Sequence, residues 1–215
     1  TDTLPVSERA WRTQGSKMFV ELGSRIAVED LIRGIIIQSG NDACVVVAEG
    51  LGGTVENFVD LMNSQAKKLG LAQSHFVNPD GLPEPPGQLM SALDLAKLAR
   101  HIIRTYPQYY HYFSEREFTW HKIRQPNRNS LLDMGMGVDG LKTGHSDASG
   151  YGIVLSTTQG GRRLIAVLNG LKSERERVVE GQKLLNWGIH GFEQVAVGCD
   201  AYFGYCGDAR AWEVD

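Results

Sequence analysis

Two β-rich runs, Tyr151 to Thr157 and Leu164 to Asn169, are joined through Gln159-Gly160-Gly161-Arg162. Paired glycines supply the positive φ that a tight turn demands, so the runs are expected to form an antiparallel hairpin. Upstream, the dominant period is that of a helix. Val28 to Ser39 sets Leu31, Ile32, Ile35 and Ile36 on one face, and Asp42 to Leu51 is apolar nearly all round, as a central buried helix would be. Thr54 can N-cap a third helix, with Phe58, Leu61, Met62 and Leu69 on one face and Gly70 as its stop. Ser91-x-x-Asp94 resembles a capping box for a fourth, which ends before Pro107. Downstream of the hairpin, Glu174 to His190 is amphipathic, with Val178, Val179, Leu184, Leu185 and Trp187 apolar. A helical block, antiparallel strands and a closing helix make an α+β chain.

Between these elements the sequence predicts looser structure. The first 25 residues read as polar and turn-like, and His75 to Gly87, with four prolines, reads as loop. Glu117 to Arg124 alternates enough for one edge strand. We divide the chain into residues 1–191 and the start of a β-rich domain over 192–215. Lys and Arg number 22 against 25 Asp and Glu, a net charge of −3 with no basic run, which argues against nucleic acid as a partner. No apolar stretch approaches the roughly 20 residues of a membrane helix. Cys44, Cys199 and Cys206 are too few for a disulfide framework, although Cys199 and Cys206 could pair in an oxidising compartment. Without clustered His or a Cys-x-x-Cys, neither metal nor cofactor is expected.

The chemistry concentrates in two short motifs. Asp139-Gly140-Leu141-Lys142-Thr143-Gly144 leads into a strand. On a sheet edge, the lysine offers a fixed charge and the threonine a hydrogen bond for a carboxylate. The glycine lets a ligand backbone lie close. Ser39-Gly40-Asn41 breaks the chain between two apolar helices, where a serine and an asparagine are common as helix caps. Neither motif is rare alone. Together, about a hundred residues apart, they match two of the three motifs of active-site serine penicillin-recognising enzymes.

On these residues the chain resembles the low-molecular-mass penicillin-binding proteins that act as D-alanyl-D-alanine carboxypeptidases (peptidase family S11). The resemblance covers about residues 1–195 and includes Ile36-Ile37-Gln38-Ser39-Gly40-Asn41-Asp42-Ala43, Asn78-x-x-Gly81-Leu82, Asn127-Arg128-Asn129, Val138 to His145, and Lys183-Leu184-Leu185-Asn186-Trp187-Gly188. It implies the penicillin-recognising fold, an antiparallel sheet flanked by a helical cluster. The implied activity removes the terminal D-Ala from peptidoglycan stem peptides through an acyl-enzyme and binds β-lactam antibiotics covalently, in the periplasm. Ser39 would relay protons, Asn41 would hold the substrate amide, and Lys142, Thr143 and Arg177 would gather the terminal carboxylate. Gly144, His145 and Arg128 match positions near the cleft. The plainer readings are an exposed helix charge for Arg177 and a solvated loop residue for His75.

The resemblance also implies a Ser-x-x-Lys nucleophile upstream of Ser39. The only Ser-x-x-Lys here, Ser64-Gln65-Ala66-Lys67, follows Ser39 and falls on the polar side of an amphipathic helix. It is read as a coincidence. The expectation is therefore a chain truncated at both ends, with the nucleophile, the first strands and any C-terminal membrane anchor outside it, and a second chain as the candidate source of the missing part. Two readings compete with the carboxypeptidase. A class A β-lactamase is disfavoured by Gly40 and by the absence of Glu-x-x-Leu-Asn. A nucleophile-less module that only binds peptidoglycan or a partner is the other.

Overall fold

The computed structural model describes residues 2–195 and 211–214. Two bodies of structure meet along one seam. The first is helical: α2 (Val28–Gln38), α3 (Asn41–Gly52) and α4 (Val55–Lys68) pack in sequence, joined by α1 (Glu8–Arg12) and the ladder of β1 (Thr3–Pro5) with β2 (Arg25–Ala27). The first 25 residues are thus more ordered than a turn-like reading allows. A three-residue ladder and a five-residue helix are too short to show a period. α3 is central as expected, with Ala43, Val46 and Ala48 fully buried beside Leu31, Ile26 and Met18. Thr54 does cap α4, accepting the Asn57 N–H at 3.1 Å. The apolar face expected on α4 is only partly covered: Val55, Val59 and Ala66 are buried, whereas Leu61 is exposed.

The second body is an antiparallel sheet in the order β5 (Val138–Ser146), β6 (Gly150–Gln159), β7 (Arg162–Leu171). Period-2 alternation assigns its two faces. Ile153, Leu155 and Ala166 pack with Leu185, Val178 and Leu184 of α6 (Glu174–His190). Val154, Ile165 and Val167 turn the other way, onto Leu95 and Ala99 of α5 (Ala92–Thr105) and onto Tyr110 and Phe113 of the 3-10 segment Pro107–Ser114. The expected hairpin turns through Gly160 (φ 54°) and Gly161 (φ 75°), two positive-φ positions as a type I′ turn requires. α6 comes close to the sheet at Gly181, where a Cβ would lie 2.9 Å from Leu131 Cδ1 and 3.1 Å from Leu155 Cδ1. Val179 and Trp187, read as part of the apolar face of α6, are exposed.

Three local expectations change. Glu117 to Arg124 is not one strand: β3 (Glu117–Trp120) and β4 (Ile123–Pro126) fold back through His121 and Lys122, both at positive φ. With no glycine or asparagine at that turn, the sequence carries no signal for it. The box at Ser91 is half formed. Its hydroxyl accepts the Asp94 N–H, but the Asp94 carboxylate takes the Gln73 N–H and Ser74 Oγ instead. Lys142-Thr143-Gly144 does not precede a strand but lies inside β5, on the sheet edge. Beyond α6, β8 (Phe192–Val195) pairs antiparallel with β9 (Ala211–Val214). Cys199 and Cys206, with their proposed bridge, lie outside the described residues.

Candidate active site

Ser39 ends α2 in the left-handed region (φ 53°, ψ 41°), and α3 begins two residues later. A residue with a Cβ adopts that conformation at a cost of about 1–2 kcal/mol, so its surroundings must hold it. A strap formed by residues 14–20 does part of this. Asn41 N–H donates to Ser16 O at 2.8 Å, and Asn41 Nδ2 donates to Gln14 O at 3.0 Å. Gly15 makes the approach possible: at φ 86°, a Cβ there would sit 2.6 Å from Asn41 Nδ2. Asn41 is buried, and part of its amide is committed to the strap.

Sheet edge and helix turn meet through Lys142. Its ammonium donates to Ser39 Oγ, 103 residues away, and to Thr143 O at 2.8 Å. Burial, then Arg128 and Arg177, pull Lys142 down to about 8. Desolvation disfavours the charged form and two neighbouring cations repel it. Thr143 is buried at 7% exposure, whereas Gly144 is exposed and a Cβ there would meet nothing within 4 Å. The strand is therefore open to a ligand at Gly144.

Arg177 enters from the first turns of α6. Ser173 caps that helix by accepting the Glu176 N–H at 3.1 Å, which places Arg177 one turn in. It is not the exposed charge of the plainer reading, being only 4% exposed. Its Nη2 donates to Arg128 O at 3.2 Å and to Glu174 Oε1 at 2.9 Å, and its guanidinium lies 5.7 Å from the Tyr151 ring centroid. The other side of Tyr151's neighbourhood is His145, its cross-strand partner, with ring centroids 4.0 Å apart. Arg128 is exposed and donates to Ser16 Oγ at 3.0 Å. Its segment is pinned to the strand next door, since Asn129 Nδ2 donates to Gly140 O at 3.3 Å.

Ser39, Asn41, Lys142 and Thr143 thus meet where the α2–α3 turn abuts the β5 edge, with Arg128 and Arg177 near enough to repel Lys142 and His145 further along the same strand. Ser64 and Lys67 are exposed on α4, where Ser64 borders an apolar groove with Phe58, Leu61 and Leu98. His75 is an exposed loop residue, as read. Sequence reasoning passed over three contributors. Gly15 had a signal, a glycine inside a polar run, but nothing to name its partner. Tyr151 looked like an ordinary strand aromatic. Asp139 accepts from Tyr110 Oη at 3.1 Å and from Arg163 at 2.8 Å, an anchor behind the motif whose partners lie 24 and 29 residues away. Burial pushes the Tyr110 hydroxyl well above its usual range, so it donates and does not ionise.

The D-alanyl-D-alanine carboxypeptidase family model of peptidase S11 matches residues 1–173. D-alanyl-D-alanine carboxypeptidase DacC of Escherichia coli (strain K12) is 46% identical over 202 residues, covering 91% of this chain and 50% of that protein. Penicillin binding protein 5 from Haemophilus influenzae superposes with a TM-score of 0.86 at 45% identity, covering 91% of this chain and 58% of that one. Penicillin-Binding Protein D2 from Listeria monocytogenes, solved with ampicillin and with cefotaxime bound, gives 0.77 at 28% identity over 87% of this chain and 76% of that one. The chain spans about half the length of the curated relatives it matches. The fold is the expected penicillin-recognising one. With 173 of 215 residues matched and nearly half of the aligned positions identical to a curated relative, the chain belongs to the D-alanyl-D-alanine carboxypeptidases of peptidase family S11.

Proposed function

We propose that this chain forms the carboxylate-reading wall of a serine D,D-carboxypeptidase that removes the terminal D-Ala from peptidoglycan stem peptides in the periplasm. The observation that carries the reading is the junction of Lys142 with Ser39, flanked by buried Arg177. Lys142, Thr143 and Arg177 present cationic and hydroxyl donors to the C-terminal carboxylate of D-Ala-D-Ala, or to the carboxylate of a penicillin. Gly144 leaves the strand edge open for the ligand backbone, and His145 and Arg128 line the approach. Ser39 Oγ accepts a hydrogen bond from the Lys142 ammonium and can donate its own hydrogen, so it can relay a proton toward the departing amine. Asn41 keeps part of its amide for the substrate.

An acyl-enzyme also needs a nucleophile. The relay role falls to Ser39, and Ser64 is exposed on α4, so we assign the nucleophile to a Ser-x-x-Lys segment outside residues 1–215. None of the described helices is long and apolar enough to cross a membrane. The test is intact-mass analysis with benzylpenicillin, followed by peptide mapping. The full-length gene product should gain one penicilloyl group on a serine outside this sequence and should release D-Ala from a D-Ala-D-Ala peptide. The 23.7 kDa polypeptide should gain nothing. An adduct on Ser39 or Ser64 refutes the assignment, and a full-length protein that neither acylates nor releases D-Ala refutes the function.

A further inference from the structure

Asp42 follows Ser39-Gly40-Asn41 directly and sits in the first turn of α3 with 0% of its surface exposed. A carboxylate so placed needs compensation from hydrogen-bond donors or a cation. Among the described residues it comes from the backbone alone. Oδ1 accepts the N–H groups of Met18 at 2.9 Å and Ala43 at 2.9 Å; Oδ2 accepts those of Phe19 at 2.9 Å and Val20 at 3.1 Å. Three of these four donors are consecutive, some two dozen residues upstream, and converge on one anion as a nest does. Phe19 contributes by turning left-handed, at φ 67°, although its own side chain is half exposed.

The fastened segment continues into the strap that touches the cleft. Ser16 O and Gln14 O hold the backbone and side chain of Asn41, Ser16 Oγ receives Arg128, and Lys17 O receives Gln125 Nε2 at 3.3 Å. Gly40 itself has little freedom, because a Cβ there would lie 3.0 Å from Asp42 Oδ1 and 3.1 Å from Met18 N. One carboxylate thus ties the strap to the helix that carries Asn41.

We propose that Asp42 is a positioning residue for the cleft: it locks residues 18–20 onto the start of α3, and the locked strap fixes where Asn41 and Arg128 stand. This rests on the cleft being the acylating site proposed above. Asp42→Asn keeps the volume but replaces one acceptor by a donor that faces other donors. In the full-length protein we expect amide exchange at residues 18–20 to accelerate on the order of 10- to 100-fold, and the second-order constant for benzylpenicillin acylation to fall by about tenfold or more. Val59→Ala, on α4 in the same buried cluster but making no hydrogen bond to the strap, is the stability control. It should lower Tm and leave acylation intact.

Asp42→Glu retains charge and acceptors while displacing them by one methylene. It should show the same two changes in smaller degree, and it carries the test if Asp42→Asn does not fold. Parental exchange at 18–20 in the substituted protein overturns the proposal. So does faster exchange with an unchanged acylation constant, or an equal acylation loss in Val59→Ala. A parent that never acylates refutes the function instead, and exchange at 18–20 then still decides whether Asp42 holds the strap.

Discussion

Lys142 should impose a basic limit on ligand capture near pH 8. Its ammonium is held at about 8 by burial and by the repulsion of Arg128 and Arg177, against about 10.4 for a solvated lysine. At pH 7 roughly ten in eleven molecules then carry the charge, and at pH 9 roughly one in eleven. If the ligand carboxylate is captured by the charged form, acylation of the full-length protein by benzylpenicillin should drop about tenfold between those pH values. The assay is the second-order acylation constant measured across that range at fixed ionic strength. Lys142→Arg cannot titrate there, so whatever activity it keeps should be flat through pH 8. Arg128→Gln removes one repelling charge and should move the limit upward. Stability runs in the opposite sense. Between about 8 and about 10.4 the unfolded chain holds this proton more tightly, so this group's contribution becomes more favourable as pH rises. A limit at 10 or above, or one at 8 that survives Lys142→Arg, would refute the reasoning.

Three further outcomes follow from the geometry. Gly15→Ala places a Cβ 2.6 Å from Asn41 Nδ2 at φ 86°, so acylation should slow more than Tm falls, as stopped-flow and calorimetry on one preparation would show. Gly181→Ala gains helix propensity but presses on Leu131 Cδ1 at 2.9 Å and Leu155 Cδ1 at 3.1 Å; overpacking of about 1–3 kcal/mol should exceed the gain of about 1 kcal/mol, giving a lower urea midpoint. Ser64→Ala, at an exposed site on α4, should leave penicilloylation of the full-length protein unchanged, and loss of the adduct would make Ser64 the nucleophile.

What the sequence determined by itself was largely local. The paired glycines of the 160–161 turn, the all-round apolar run of α3 and the caps at Thr54 and Ser91 each fix geometry within a few residues, where propensity and periodicity act directly. The two motifs were likewise legible, and resemblance gave them a partner each. The His121-Lys122 turn was not legible, because its positive φ values are imposed by the β3–β4 pairing and not by residue type. Nor could Arg177 be placed from its helix alone, since a charged residue in a first turn looks the same whether solvated or buried.

Tertiary structure decided the rest, for a physical reason that Lys142, Arg177 and Asp42 share. Each is a charge whose behaviour depends on which donors, acceptors and like charges are brought beside it, and those neighbours are 103 residues away for Lys142, 49 for Arg177 and 22 to 24 for the strap on Asp42. Burial strengthens every such interaction by removing water from between the partners. The sequence names the groups; only the meeting of the β5 edge, the α2–α3 turn and the first turns of α6 sets which partners each one finds.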